Sequence, residues 1–346
     1  MAEEKTPLTD AHPNPLRKRL CAALWLALLP AAATAAAQTC QTAGDIEAPA
    51  RAAIESAAGK YFDLAARGQS GMLQQSAIPS LASAFGGVES LIKDNQSALG
   101  NAKASVRPPF LLTAEGTQPM ARAEFLCGVF GSSGQTHDSA IFVLNNLPAG
   151  KYAVAIVDAA GSADALTVTF ILQQMGADWK LAGLFMRAAQ LNGHDAAWFT
   201  QRAREFKARG QARNAWLYFR KAIVLTTPTD LMSTQGTDKL YDEAQAVQPT
   251  DMPVDGTAVD LAANGTVFRL TSMFMVGVGG DLDLVVWYQA ADIADTAKTF
   301  QANQSLIRAL VAKFPELRDA FAGVAARAVD PAGQGYGSML PMKEIK

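Results

Sequence analysis

EFKARGQARNAWLYFRKAIVLTTP, residues 205–228, decides how the whole chain is to be read. On either side of Gly210 apolar residues recur at three- and four-residue steps, Phe206 before it and Ala215, Phe219 and Ala222 after it. That spacing gives two short amphipathic helices, and the glycine supplies the tight reversal between them. Ala203, Ala215 and Ala222 let the two backbones approach while Phe206 and Phe219 fill the space beside them. The pattern does not recur elsewhere in the chain. A solitary helical hairpin cannot bury both of its faces, because such units are stable only when stacked on neighbours, so something else must cover the second face.

Phe199, Ala203, Phe206, Gly210, Ala215, Phe219 and Ala222 fall at the spacings of one helical repeat, and the segment resembles a single tetratricopeptide repeat of about 34 residues. Phe199 stands where that family usually carries Trp and Arg202 where it carries Leu, and Pro228 arrives one position late. The resemblance implies two uses for the hairpin. One is packing against a neighbouring part of the same chain; the other is a groove for a protein partner. In the second case the contacts would come from Trp198, Phe206 and Trp216, with Arg202, Arg209 and Arg213 around them.

Charge separates these uses further. Residues 195–221 carry Arg202, Arg204, Lys207, Arg209, Arg213, Arg220 and Lys221 against Asp195 and Glu205. Residues 229–263 reverse the sign, with Asp230, Asp238, Asp242, Glu243, Asp251, Asp255 and Asp260 against Lys239. The acidic connector is therefore expected to fold over the basic hairpin and neutralise it. Nucleic acid is not an expected partner: a net charge of −2 gives no general reason to expect a polyanion, and a secreted chain seldom meets one, so an external partner of the basic hairpin would be an anionic lipid surface or an acidic protein.

The 346 residues are 49% hydrophobic and 18% charged, the composition of a chain with packed cores rather than a disordered one. Its amino terminus runs from Arg17, Lys18 and Arg19 through the apolar LCAALWLALL of Leu20–Leu29 to PAAATAAAQ. Basic, apolar, then small is the order of a secretory signal peptide, with Ala35-Ala36-Ala37 meeting the small-x-small cleavage rule. An uncleaved anchor is the other reading, because Leu20–Ala37 lacks any charge; either way the basic cluster stays inside and the body lies outside the cytoplasm, periplasmic or secreted. Membrane contact is expected only through this segment, if it is retained. Cys40 and Cys127 then lie in an oxidising compartment, where pairing is chemically permitted. It requires their Cα atoms to come within about 7 Å, which sequence does not fix. AQTC places Gln38 and Thr39 where a lipidated cysteine would be preceded by small residues.

From residue 46 to Gly68, apolar positions Ala50, Ile54, Ala57, Tyr61 and Leu64 form one helical stripe, and a second, glycine-interrupted helical stretch covers residues 80–99. The period then changes to two. FLLTAEG, ARAEFLCGVF, SAIFVLNN, YAVAIVDA, ALTVTFILQQM and WKLAGLFM read as six strands. In the fifth, Val168, Phe170 and Leu172 alternate with Thr167 and Thr169, which predicts one apolar sheet face under a helical lid and one polar face. Helices followed by an antiparallel meander that closes on Asp178–Met186 resemble the nuclear transport factor 2-like superfamily of cone-shaped α+β domains. That resemblance implies a pocket between sheet and helices, in some members catalytic through His, Asp or Tyr. No catalytic residue carries over: Glu124, His137, Asp158 and Asp164 form no recognisable pair.

Beyond the connector, GTVFRLTSMFMVGVGGDLDLVVWYQAAD predicts a β-hairpin turning at residues 277–281. A helix with Leu306, Leu310 and Phe314 follows, then a second helix opened by Pro315 with Leu317, Phe321 and Val324, and a terminal edge strand marked by Pro341. GVGG is followed by a strand rather than a helix, so it is a turn and not a phosphate loop. Asp281 and Asp283 lack the further oxygen ligands of a Ca²⁺ site. His137 and His194 share no zinc-ligand spacing, and Ser132 and Ser133 lie outside any nucleophile elbow.

The sequence thus predicts an α+β chain in five parts. Residues 1–37 are the leader or anchor, 38–190 helices packed on a curved antiparallel sheet, 191–228 the hairpin, 229–263 the acidic connector and 264–346 a small module of β-hairpin and helices. The expected function is non-catalytic and extracytoplasmic, holding a protein partner or small ligand through the sheet cavity or the hairpin, without cofactor or metal. The alternative is a cone-fold enzyme, isomerase- or dehydratase-like, with a pocket of dispersed residues.

Overall fold

Ile54, Ala58, Tyr61, Phe62 and Ala65 lie on one side of the first long helix, and all are buried. They mark where the first core begins. The computed structural model describes residues 38–128, 139–161, 165–254 and 256–346. Its amino-terminal elements are β1 (Gln38–Gln41), α1 (Ala48–Ala66), α2 (Ser70–Gln75), α3 (Pro79–Ala82), α4 (Gly86–Asp94), α5 (Gln96–Gly100), β2 (Lys103–Val106), β3 (Phe110–Ala114), β4 (Met120–Cys127), β5 (Ala140–Leu147), β6 (Gly150–Ala160), β7 (Leu166–Met175) and β8 (Asp178–Ala188). Gly68, with φ +67°, ends the α1 segment in the left-handed conformation that glycine adopts without penalty. The protein is an α+β structure.

The six expected strands exist, but they do not form one meander. β1, β3, β6, β7 and β8 lie in that order in one antiparallel sheet, with β2 also paired to β6. β4 and β5 leave it for a second sheet, completed by β11 (Met232–Thr234). The helices cover one face of the first sheet through Val157, Val168, Phe170 and Leu172. The second sheet covers the other through Phe125, Phe142, Val154 and Ile156. The layers are therefore helix, sheet, sheet. This corrects the expected polar face, because Thr167 is 3% exposed and Thr169 fully buried. Alternation of Val and Thr marks a face whose hydroxyls need partners, not one that needs water: Thr169 Oγ1 donates to the Pro228 carbonyl at 3.3 Å.

The polypeptide continues through β9 (Gln190–Leu191), β10 (His194–Asp195), α6 (Ala196–Ala208) and α7 (Ala212–Thr226), then β11 and α8 (Gln235–Gln245). Gly210 has φ +75°, the reversal that the sequence demands. Asp195 caps α6 by accepting from Trp198 N at 2.9 Å. The acidic connector carries a strand and a helix of its own. Thr234 and Thr237 form a reciprocal capping box that starts α8.

The remainder is β12 (Val259–Ala263), β13 (Thr266–Val278), β14 (Asp281–Gln289), α9 (Thr296–Lys313), β15 (Gly323–Val329) and β16 (Gly335–Pro341), in one sheet of that strand order. Gly279 and Gly280, at φ +56° and +95°, make the β13–β14 turn, whose paired left-handed conformations match hairpin twist. After α9 the expected second helix is only a 3-10 turn, Pro315–Asp319. Leu317 and Phe321 are buried as read, but Val324 belongs to β15, parallel to β14. The alanines and arginine of Val-Ala-Ala-Arg-Ala-Val favour helix locally, but pairing along β14 overrides that preference. β16 lies at the sheet edge with Pro341 at its end. One continuous core joins Phe199, Phe206, Trp216 and Phe219 of the hairpin to Leu284, Val286, Leu306, Leu310 and Phe321 of this module.

Candidate functional site

Trp216 is 3% exposed and Phe206 1% exposed, so two of the three aromatic residues assigned to a docking groove are core. Their wall is internal. The 3-10 turn after α9 closes over the start of α7: Glu316 Oε1 accepts from Arg213 N at 3.2 Å, and the Glu316 carbonyl accepts from Asn214 Nδ2 at 2.6 Å. Gln211 Nε2 donates to Asp319 Oδ2 at 2.5 Å, and Tyr218 OH donates to the Ala320 carbonyl at 2.9 Å. Burial pushes the Tyr218 phenol up to about 12.

Trp198 is half-buried and stacks on His194, with centroids 3.8 Å apart and planes 11° from parallel. Arg202 pairs with Glu205 at 2.6 Å and lies 5.3 Å above the Phe206 ring. Arg209 is exposed, 5.8 Å from the same ring. Arg213 is not available to a partner: it meets Asp251 through Nε at 3.1 Å and Nη2 at 2.5 Å, reaches Glu316 and covers Phe314 at 4.3 Å. The connector also holds Arg204 through a bidentate Glu243 at 2.8 and 2.6 Å. The hydrogen bonds from Arg204 and Arg213 keep the Glu243 and Asp251 carboxyls below the usual carboxylate range. Basic hairpin and acidic connector are thus joined, residue to residue.

Cys40 and Cys127 form a disulfide with Cα atoms 5.0 Å apart, which ties the edge strand of the first sheet to the edge of the second. Gln38 Oε1 accepts from Glu124 N at 2.6 Å across the same seam. The bond fits an oxidising, extracytoplasmic setting. Among the described residues no helix is long and apolar enough to cross a membrane; the expected leader lies outside the described residues.

The seam closes one side of the two-sheet layer, and concavities open at its ends. The larger, about 600 Å³, is bounded by Pro79, Leu144, Tyr152, Ile171, Met175, Ala182, Phe185 and Leu231. Its polar groups are few. Tyr152 OH donates to the Pro148 carbonyl at 2.9 Å, and Gln173 and Asn146 stand at the rim. Among the described residues, no Asp, Glu, His, Lys or Arg lines it. A second concavity of about 450 Å³ lies near Phe110, Ile156 and Met232, with Arg107 at its lip. Arg107 grips Asp158 with two bonds of 2.8 and 2.7 Å, so that carboxylate is a structural partner.

Glu124 pairs with Arg122 at 3.2 Å on the surface, far in role from a catalytic dyad. His137, Asp164, Ser132 and Ser133 lie outside the described residues. Asp283 is 5% exposed on the carboxy-terminal sheet, where burial first and Asp281 second raise its carboxyl above the ordinary range. Among the described residues no three His, Cys, Asp or Glu side chains converge as a metal site. The apolar concavity between the sheets escaped sequence reasoning. Its signal was the continuous burial of TVTFIL on both faces, which requires a second covering layer that can stop short of the strand ends.

The fold and site define an α+β protein with a disulfide-closed double sheet and an apolar opening. No family model, no curated protein and no solved structure matches the chain.

Proposed function

We propose that the protein is a non-catalytic extracytoplasmic binding protein whose binding surface is the apolar opening between its two sheets. The observation that supports this reading most is the lining of that 600 Å³ concavity, mostly apolar, whose one titratable group among the described residues is the Tyr152 phenol, raised by burial and with its hydroxyl donated to the Pro148 carbonyl. Binding pockets are concave and mostly apolar, with a few polar groups that orient the ligand. Catalysis of the cone-fold kind asks instead for an acid or base within reach of the substrate. The ligand class is a small apolar molecule or an apolar side chain of a partner, oriented by Gln173 and Asn146. Secretion, by a leader cleaved before Gln38 or retained as an anchor, accounts for the disulfide and for the leader's basic, apolar, small order.

Titrating an environment-sensitive anilinonaphthalene dye into the full chain tests this. Saturable enhancement is expected, lost in Ala182→Phe, which fills the opening, and in Met175→Glu, which charges its rim, while far-UV circular dichroism stays unchanged. Equal enhancement in wild type and both variants would refute the assignment.

A further inference from the structure

β1 opens at Gln38, whose side chain reaches across the seam between the sheets. Gln38 Oε1 accepts from Glu124 N at 2.6 Å, so a side-chain amide on one edge strand satisfies a backbone donor on the edge of the other sheet. Unpaired edge donors are groups that folded proteins keep covered. The second atom of that amide, Nε2, has no partner among the described residues, and Gln38 is exposed. Two residues on, the Cys40–Cys127 disulfide ties the same strand to the same neighbour. Chain ends fray unless they are tied down; this strand is held at both Gln38 and Cys40.

The leader proposed above ends in Ala35-Ala36-Ala37, and its removal makes Gln38 the amino-terminal residue. A terminal glutamine carries a nucleophile and an electrophile in one residue, because its α-amine and Cδ can close a five-membered ring. Joined in this way, the two groups meet at high effective concentration. The amine attacks Cδ, the N–Cδ bond forms, the Cδ–Nε2 bond breaks, and Nε2 leaves as ammonia with the proton that the amine gives up. No oxidant, metal or second substrate enters. During the attack negative charge collects on Oε1, the atom that already accepts from Glu124 N. A donor in place where charge develops lowers the barrier, and the nitrogen to be expelled is the one that no described group holds.

We infer that Gln38 is a modification site, cyclised to pyroglutamate with the Glu124 backbone amide as the donor that promotes closure. The inference rests on leader cleavage before Gln38. The lactam keeps Oε1 as an acceptor at the seam and replaces a charged α-ammonium with a neutral ring at the sheet edge. The mature chain then begins without a free amine and is closed to aminopeptidases.

Cleaving the full-length precursor with signal peptidase, then following its amino-terminal peptide by mass spectrometry over time, tests the inference. A peptide that starts at residue 38 and is lighter by one ammonia is expected. Glu124→Pro removes the donor alone, since that N–H points to Gln38 rather than into the β4–β5 ladder and proline is tolerated on edge strands. It should slow closure about tenfold, less than the ~10²–10³-fold found for an oxyanion donor in a water-excluded site, with little change in melting temperature. A peptide that starts at residue 38 and retains its glutamine would overturn the inference and leave leader cleavage standing. A chain still joined to its leader would overturn both. Equal rates in wild type and Glu124→Pro would also overturn it, because closure would then be that of any terminal glutamine.

Discussion

Trp216 and Arg209 are both on the hairpin, both match the pattern of a docking surface in sequence, and have opposite fates in the structure. Trp216 is buried among Phe199, Phe219 and the carboxy-terminal module, whereas Arg209 reaches into solvent. Trp216→Ala should destabilise the chain by about 3–5 kcal/mol, the usual cost of emptying a large aromatic site, and Arg209→Ala should change it by no more than about 0.5 kcal/mol. Urea unfolding followed by circular dichroism measures both. Helical periodicity identifies which residues share a face but not what covers that face. For that reason the alanine and phenylalanine stripe was legible, while the fate of Trp198 and Trp216 was not.

Two carboxylates make opposite pH predictions. Asp251 has its pKa lowered chiefly by hydrogen bonds from Arg213, so its stabilising contribution is complete above the unfolded value near 3.9 and is lost as pH falls through the lower folded value. A double-mutant cycle of Arg213→Ala with Asp251→Ala should show coupling of about 1 kcal/mol at pH 7 and none once the carboxyl is protonated. Asp283 has its pKa raised by burial, so its ionised form opposes folding at neutral pH, and that cost disappears as pH falls through the raised value. Asp283→Asn should therefore melt higher than wild type at pH 7, with the gap closing toward pH ~4, near the unfolded carboxyl value. Thermal scans across pH in which the gap persists at low pH would exclude a titration origin.

At the scale of elements, the disulfide joins two sheets that backbone hydrogen bonding does not join. Cys40 and Cys127 are 87 residues apart in sequence, and closing so long a loop stabilises by roughly 4–5 kcal/mol in the chain-entropy description. Cys40→Ser with Cys127→Ser should lower the melting temperature accordingly, and reductant should lower it in the wild type alone. Most strands were visible from their period of two and their turn residues. Their division into two sheets was not, because β4 and β5 carry the same alternation as their neighbours and local pattern does not specify which edge a hairpin joins. The 3-10 turn at Pro315 was misread for a related reason: Leu317 and Phe321 keep helical spacing, but the parallel partner that claims Val324 lies about forty residues upstream.

At the scale of the whole molecule, the described residues form one compact unit, and the segments read separately as hairpin, connector and module share a core. What the composition predicted, a charge reversal between neighbouring segments, became specific pairs, Arg204 with Glu243 and Arg213 with Asp251. These pairs are partly exposed, so salt should loosen the connector more than the core. Charge balance was legible because it sums over residues, whereas the apolar opening depends on where one sheet ends above another. The hairpin's second face is occupied by the chain itself, which leaves the opening between the sheets as the binding surface in this account.

Hydrogen–deuterium exchange of the full chain, resolved by peptide and compared with and without saturating decanol, tests that claim most directly. With its core face covered by the carboxy-terminal module, α7 should already be among the slowest segments without ligand. Decanol should slow exchange around residues 144–152, 171–175 and 182–185. Rapid exchange of α7 that decanol or any added protein suppresses, with the sheet segments unchanged, would contradict it and return the binding role to the hairpin.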